Sequence, residues 1–326
     1  MASSPTPALL RLTILLCVML ISPVRLFADN AQAESLLKQG RVDEAAAMLN
    51  QVLAADSKDA RAHQLLCRVY YAQDIADSAV KECEQATQLD SANSDSQMWL
   101  GRAYGLKASQ VNMLNAFTLA KKVHVAFERA IQLNPANVTA MDDLGHYYVD
   151  APAIVGGGVD KAQALAQKLM VRSPAKGHKL LAMIARKNKD MTTAESEFKA
   201  AVAASGKTPD TWVDLGLFYQ QQSQYDKAVA ALQSSIEVNR TKNASLVDAA
   251  SILTDMHRQL DLAERLLRDY LASPAKSEDA PAFKVHEQLG DLLKMRGDSS
   301  AARREYVAAA ALASNYGPAR KAVQGM

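Results

Sequence analysis

Along most of this chain apolar residues recur with helical spacing, in segments separated by short polar breaks that hold most of the 10 prolines. In residues 209–240, PDTWVDLGLFYQQQSQYDKAVAALQSSIEVNR, one apolar stripe runs from Trp212 to Tyr219 and a second from Ala228 through Leu232. The polar stretch between them predicts a turn, so the pattern predicts two antiparallel helices. Apolar residues make up 49% of the chain and aromatics only 6%, with alanine abundant. That balance suits helices packed closely through small side chains better than sheets. The expected fold is all-α.

The helix pair is a repeat. Trp212, Leu215, Gly216, Tyr219, Ala228 and Leu232 follow the spacing W-x2-L-G-x2-Y…A-x3-F. Gly216 and Ala228 are small where two helices would cross, and the larger residues fill the space around that crossing. The same frame selects Ala194 and Phe198 one unit earlier, Gly101 with Tyr104 and Gly145 with Tyr148 before that, and Gly290 with Ala302 near the end. About eight units fit between Asn30 and Tyr316, with residues 317–326 as a closing segment. Two units run late, which marks residues 105–122 and 149–160 as insertions; the first is helix-compatible and predicts longer helices or a longer turn.

On these residues the chain resembles the tetratricopeptide-repeat superfamily over nearly all of residues 29–316. The resemblance implies an α-solenoid wound as a right-handed superhelix. It also implies a concave surface, lined mostly by the first helix of each unit, that binds a protein or peptide. Some members of the superfamily hold acidic chaperone C-termini in a clamp of Lys and Asn. The matching positions here carry Gln64 and Arg68, Met98 and Arg102, Asp142 and His146, with no Asn where the clamp needs one. That particular partner is not implied.

The insertion around APAIVGGGVDKA, residues 151–162, resembles a phosphate loop only superficially. Lys161 follows Asp160 and precedes Ala162, and no G-x-G-x-x-G spacing is present, so neither nucleotide motif is met. Gly156, Gly157 and Gly158 are expected to form an enlarged turn, with Asp160 capping the next helix.

The N-terminus reads differently. One arginine, an apolar run from Leu12 to Ile21, then Pro23 and small residues have the layout of a signal peptide, residues 1–28, cleaved near Ala28 or Ala33. The run is about half the roughly 20 residues that span a bilayer, so no stable membrane span is expected after cleavage. The expected location is exported, periplasmic or secreted if the source is bacterial. Cleavage would remove Arg11 and Arg25 and leave a chain with equal numbers of acidic and basic residues, against +2 before it. Nothing in that balance favours nucleic acid.

The six histidines are scattered, and no metal or nucleophile motif appears, so no catalytic, cofactor-binding or metal-ligating residues are expected. His146, beside Asp142, Asp143 and Asp150 at helical spacing, reads as part of a polar helix face. Cys67 and Cys83, one on each helix of the second unit, read as buried free thiols, because the repeat frame offsets them by about a turn, with a disulfide in an oxidising compartment as the alternative.

The expected function is that of an exported non-enzymatic scaffold with a protein or peptide partner in its groove. Lys176, Lys179, Met183 and Arg186 fall on one helical stripe with Lys187 at its border, and Arg68 and Arg102 take equivalent places earlier. These six basic residues are the expected partner contacts, suited to an acidic segment. A structural or self-assembling envelope component, and an enzyme with its site in the insertions, are the alternatives.

Overall fold

A computed structural model of the protein describes residues 23–325. Residues 1–22 of the expected leader lie outside the described residues. Pro23–Lys38 (α1) pairs with Val42–Ala55 (α2), Ala60–Ala72 (α3) with Ala76–Leu89 (α4), and Ser94–Gln110 (α5) with Met113–Leu133 (α6). Val138–Asp150 (α7) pairs with Val159–Arg172 (α8), Pro174–Lys187 (α9) with Met191–Ala204 (α10), and Pro209–Gln221 (α11) with Tyr225–Val238 (α12). Ser245–Asp255 (α13) with Leu260–Ala272 (α14), and Ala282–Met295 (α15) with Ser299–Leu312 (α16), complete eight pairs before a closing helix, Gly317–Gln324 (α17). No strand occurs among the described residues. The molecule is an α-solenoid, each helix packing chiefly on its neighbours in the chain.

Local chemistry sets the ends of these helices. The side chains of Asp59, Asn93 and Asn137 each accept the amide three residues on, which starts α3, α5 and α7. Proline stands in the first turn of α9 and α11, where its missing N–H costs nothing. Between paired helices the chain turns on a left-handed residue in seven of eight units: Gly40, Asp74, Gly156, Lys189, Ser223, His257 and Gly297. The exception is the α5–α6 unit, which carries the first insertion. There α5 and α6 extend to 17 and 21 residues, against 13 and 14 in the preceding pair, so the first insertion lengthens both helices.

The second insertion is a turn built on its glycines. Gly156 adopts φ +105° and Gly158 φ +152°, and a Cβ on Gly156 would come within 2.6 Å of the His124 ring. Lys161 Nζ donates to the Gly156 carbonyl at 2.9 Å and closes the loop on itself. Asp160 does not cap α8. The helix starts one residue earlier, at Val159, with Gly158 in the cap position, so Asp160 falls inside the first turn.

Small residues mark the helix crossings. Ala194, Ala228 and Ala302 are fully buried in one cluster with Phe198, Leu215 and Tyr219, Tyr104 and Tyr148 are buried in the cluster before it, and Trp212 is half-buried. A Cβ on Gly101 would strike Phe127, one on Gly145 Leu180, one on Gly216 Leu232, and one on Gly290 Tyr306. Each glycine thus admits one bulky side chain from a later helix.

The cysteines are not free thiols. Cys67 and Cys83 are joined in a disulfide, with Cα atoms 5.2 Å apart. The expected one-turn offset is absent, because both residues, with Ala79, are fully buried in the small-residue seam where α3 crosses α4. The bond welds the helix carrying Arg68 to its pair.

The array closes on itself. One apolar cluster joins Leu36, Leu37, Val42 and Leu49 of the first unit to Phe283, Ala309, Ala313 and Tyr316 of the last. Phe283 meets Tyr316 edge-on, with ring centroids 5.0 Å apart. The Ser314 amide donates to Asp43 at 2.7 Å, and Lys284 Nζ reaches Asp74, 210 residues away, at 2.9 Å. First and last units touch, so the concave face lines the inside of a closed ring.

Candidate functional site

The first helices of successive units turn one side inward, and their charged residues meet across units. Lys176 Nζ lies 2.7 Å from Asp142, 34 residues earlier, and Lys179 Nζ 2.9 Å from Asp214, 35 residues later. Arg186 donates to Gln221, 35 residues on, at 2.5 Å. One repeat along the chain is one rung along the wall, so residues about a repeat apart face each other as i and i+4 do on a helix. Arg102 follows the rule with a stretched interval: it grips Asp143 at 2.7 and 3.2 Å across 41 residues, because the first insertion lies between them.

Of the six basic residues expected to contact a partner, Arg68, Arg102, Lys176 and Lys179 therefore face carboxylates from other units. Arg186 faces an amide, and Lys187 is exposed beyond the stripe. The wall is a ladder of matched charges rather than a basic strip.

One part of the wall is deeper. A cavity of about 830 Å³ lies between α3, α5, α7 and the linker 273–281. Trp99 stands in it with the guanidinium of Arg68 at 5.4 Å and that of Arg102 at 4.7 Å from the ring centre, and Tyr71 meets it edge-on at 5.5 Å. From the linker, Glu278 forms a forked pair with Arg68, with Nε donating to Oε2 at 2.9 Å. Glu34 of α1 accepts from the same guanidinium at 3.2 Å and from Arg61 at 2.6 Å. Burial opposes ionisation of Glu34, but the two arginines outweigh it and hold the carboxyl below its usual range. Burial lowers the pKa of His146, favouring neutral imidazole at the cavity wall, with no metal-binding arrangement of three or more His, Cys, Asp or Glu among the described residues.

Further along, the interior turns acidic. Burial raises the Asp214 carboxyl, and Asp210 and Asp142 add to the rise against Lys179. Asp248 is open to the interior space, yet enclosure by the wall, with Asp214 and Asp279 nearby, pushes it up to about 6.

The insertions bring together His124, Glu128, Tyr147 and Tyr148. His124 stacks on Tyr147 at 5.8 Å, and Tyr148 donates to Glu128 at 3.0 Å. Burial pushes Tyr147 up to about 12 and raises Tyr148 as well, away from the range useful to a general base near neutrality.

Several of these residues escape sequence reasoning. Glu278 and Asp279 meet Arg68 or Arg102 only through the closure, and no local spacing announces contacts across 210 residues, whereas Trp99 lies three residues before Arg102 on α5. A second ladder did leave a signal. His63 lies 2.6 Å from Glu82, His178 2.7 Å from Glu197 and His286 2.7 Å from Glu305, each pair 19 residues apart. That recurrent interval ties first to second helices in three units.

Comparison with known proteins agrees with this geometry. Tetratricopeptide-repeat family profiles match residues 36–103 and 209–242. Among solved structures, yeast Tom70 superposes with a TM-score of 0.55 at 16% identity, over 87% of this chain and 57% of that one. This chain thus spans little more than half of the yeast protein, and the likeness is one of fold. A thermophilic TPR protein of Thermus thermophilus gives a TM-score of 0.49 at 17% identity, over 63% of this chain and 99% of that one. No curated protein matches the sequence significantly.

Proposed function

We propose, for a chain that belongs to the tetratricopeptide-repeat superfamily, that it is an exported non-enzymatic scaffold taking an extended protein or peptide segment on its inner wall. The observation that carries this is the cavity of about 830 Å³ in which Trp99 stands between Arg68 and Arg102. An indole flanked by two guanidinium groups offers an apolar face beside fixed donors, the combination that anchors peptide side chains.

Export is supported by the leader-like residues 1–28 and by the Cys67–Cys83 disulfide, which suits an oxidising compartment. Among the described residues no helix is long and apolar enough to cross a membrane. Self-assembly through terminal units is disfavoured, since the first and last units already cover each other. Catalysis is disfavoured at the insertions because the tyrosines there are raised rather than activated.

The test is capture from the exported fraction with immobilised full chain against its Trp99→Ala variant. The wild type is expected to retain a partner that the variant loses, with the melting temperature little changed. Identical captured proteins would remove the cavity from the function. N-terminal sequencing of the native protein should find a start near Asp29 or Glu34.

A further inference from the structure

The linker 273–281, SPAKSEDAP, does not run around the outside of the solenoid. It enters the interior and lays Glu278 and Asp279 against the cavity that holds Trp99. Its base is tied down locally. Ser273 Oγ donates to the Lys242 carbonyl at 3.0 Å, Lys276 Nζ donates back to the Ser273 carbonyl at 2.7 Å, and the fully buried Tyr270 donates to the Ala280 carbonyl at 2.7 Å. Its tip is held from across the ring. Glu278, with its side chain 15% exposed, is gripped by Arg68, 9% exposed, in the forked geometry that a partner's carboxylate would use.

The tip differs from a core element, for Asp279 is exposed. Asp279 faces like charge as well as Arg102, for Asp248 lies close to it across the interior. Arg68, Trp99 and Arg102 stand in register on α3 and α5, with Asp143 on Arg102 and Glu34 sharing Arg68 with the linker.

We infer that residues 276–280 are an internal stand-in for the partner: they occupy the Arg68–Trp99–Arg102 site as an acidic extended peptide would, and an external acidic segment binds there by displacing them. The occupant being of this chemistry defines the ligand class: a peptide with a glutamate for the Arg68 fork, an adjacent carboxylate or small polar residue toward Arg102, and small or apolar neighbours against Trp99. The inference rests on the proposed function and adds to it that the site is self-occupied in the free protein. Tethering gives the internal segment an effective concentration in the millimolar range, so a free peptide with a dissociation constant near 100 μM would appear at least about tenfold weaker.

The probe is a labelled, end-blocked peptide of residues 273–281, titrated against the full chain by fluorescence anisotropy. Glu278→Ala combined with Asp279→Ala should bind it at least about tenfold more tightly than wild type, and adding Arg68→Ala should abolish the gain. Equal affinity for wild type and double variant, no binding to a double variant of native helical content, or a gain that survives Arg68→Ala overturns the inference. Should the double variant not fold, hydrogen exchange on the wild-type chain decides. Excess peptide should expose the Ser277 amide, now bonded to Tyr270 Oη at 3.0 Å, and unchanged protection overturns the inference. If partner capture depends on Trp99 while these arms fail, only the self-occupancy is lost. If capture does not depend on Trp99, the proposed site itself is wrong.

Discussion

Closure of the solenoid can be tested at a single glycine. Gly40 lies in the turn between α1 and α2, is buried, and has φ +76°; a Cβ there would overlap the backbone nitrogen of Ala282 in the last unit. Gly206, in the turn before α11, has nearly the same φ, +72°, but is exposed with no heavy atom within 4 Å of a Cβ. Alanine at either position incurs the left-handed backbone cost of about 1–2 kcal/mol. At Gly40 it must also push against backbone, which has no rotamer to yield, and overpacking of that kind costs a further 1–3 kcal/mol, roughly. The expected result in urea melts at constant m-value is that Gly40→Ala is more destabilising than Gly206→Ala by about 1–3 kcal/mol. Amide exchange should accelerate in α1 and α17 for the first variant only. In an open array stability is a sum over chain neighbours, and unit one has no term with unit eight. A difference under about 0.5 kcal/mol would therefore refute the closed ring.

Two further expectations follow from the same interior. Removing the disulfide with Cys67→Ala and Cys83→Ala, a loop of 16 residues, should cost about 3 kcal/mol, and reductant should lower the wild-type urea midpoint alone; a midpoint indifferent to reductant would mean the thiols are unpaired. Asp248 has a folded-state carboxyl pushed up to about 6, above its unfolded value of 3.8, so the stability it contributes is full below the unfolded value and is lost as pH rises through 6. Discounted for its access to solvent, Asp248→Asn should gain about 1 kcal/mol at neutral pH and nothing at about pH 3.5; an equal gain at both would place the carboxylate in ordinary solvent.

The sequence by itself determined what is local. The W-x2-L-G-x2-Y spacing at Trp212, the alanines at the crossings and the polar turns specify helix pairs, because each unit buries its face against its own partner and the next unit. From that alone Arg68 and Arg102 could be placed on the inner wall. Their counter-ions could not. Asp143 faces Arg102 only after an insertion has stretched the repeat interval, and Glu278 faces Arg68 only because eight units bring the first back to the last. The angle between adjacent units is small and set by many side chains at once, and its sum over the whole array decides whether the ends meet. No residue spacing carries that sum. The same holds for Cys67 and Cys83, where the frame supplied the correct helices but not the depth of their crossing, and that depth decided between two thiols and one bond. Tertiary structure thus decided the closure, the disulfide and the acidic linker inside the groove, all of them consequences of geometry accumulated beyond a single repeat.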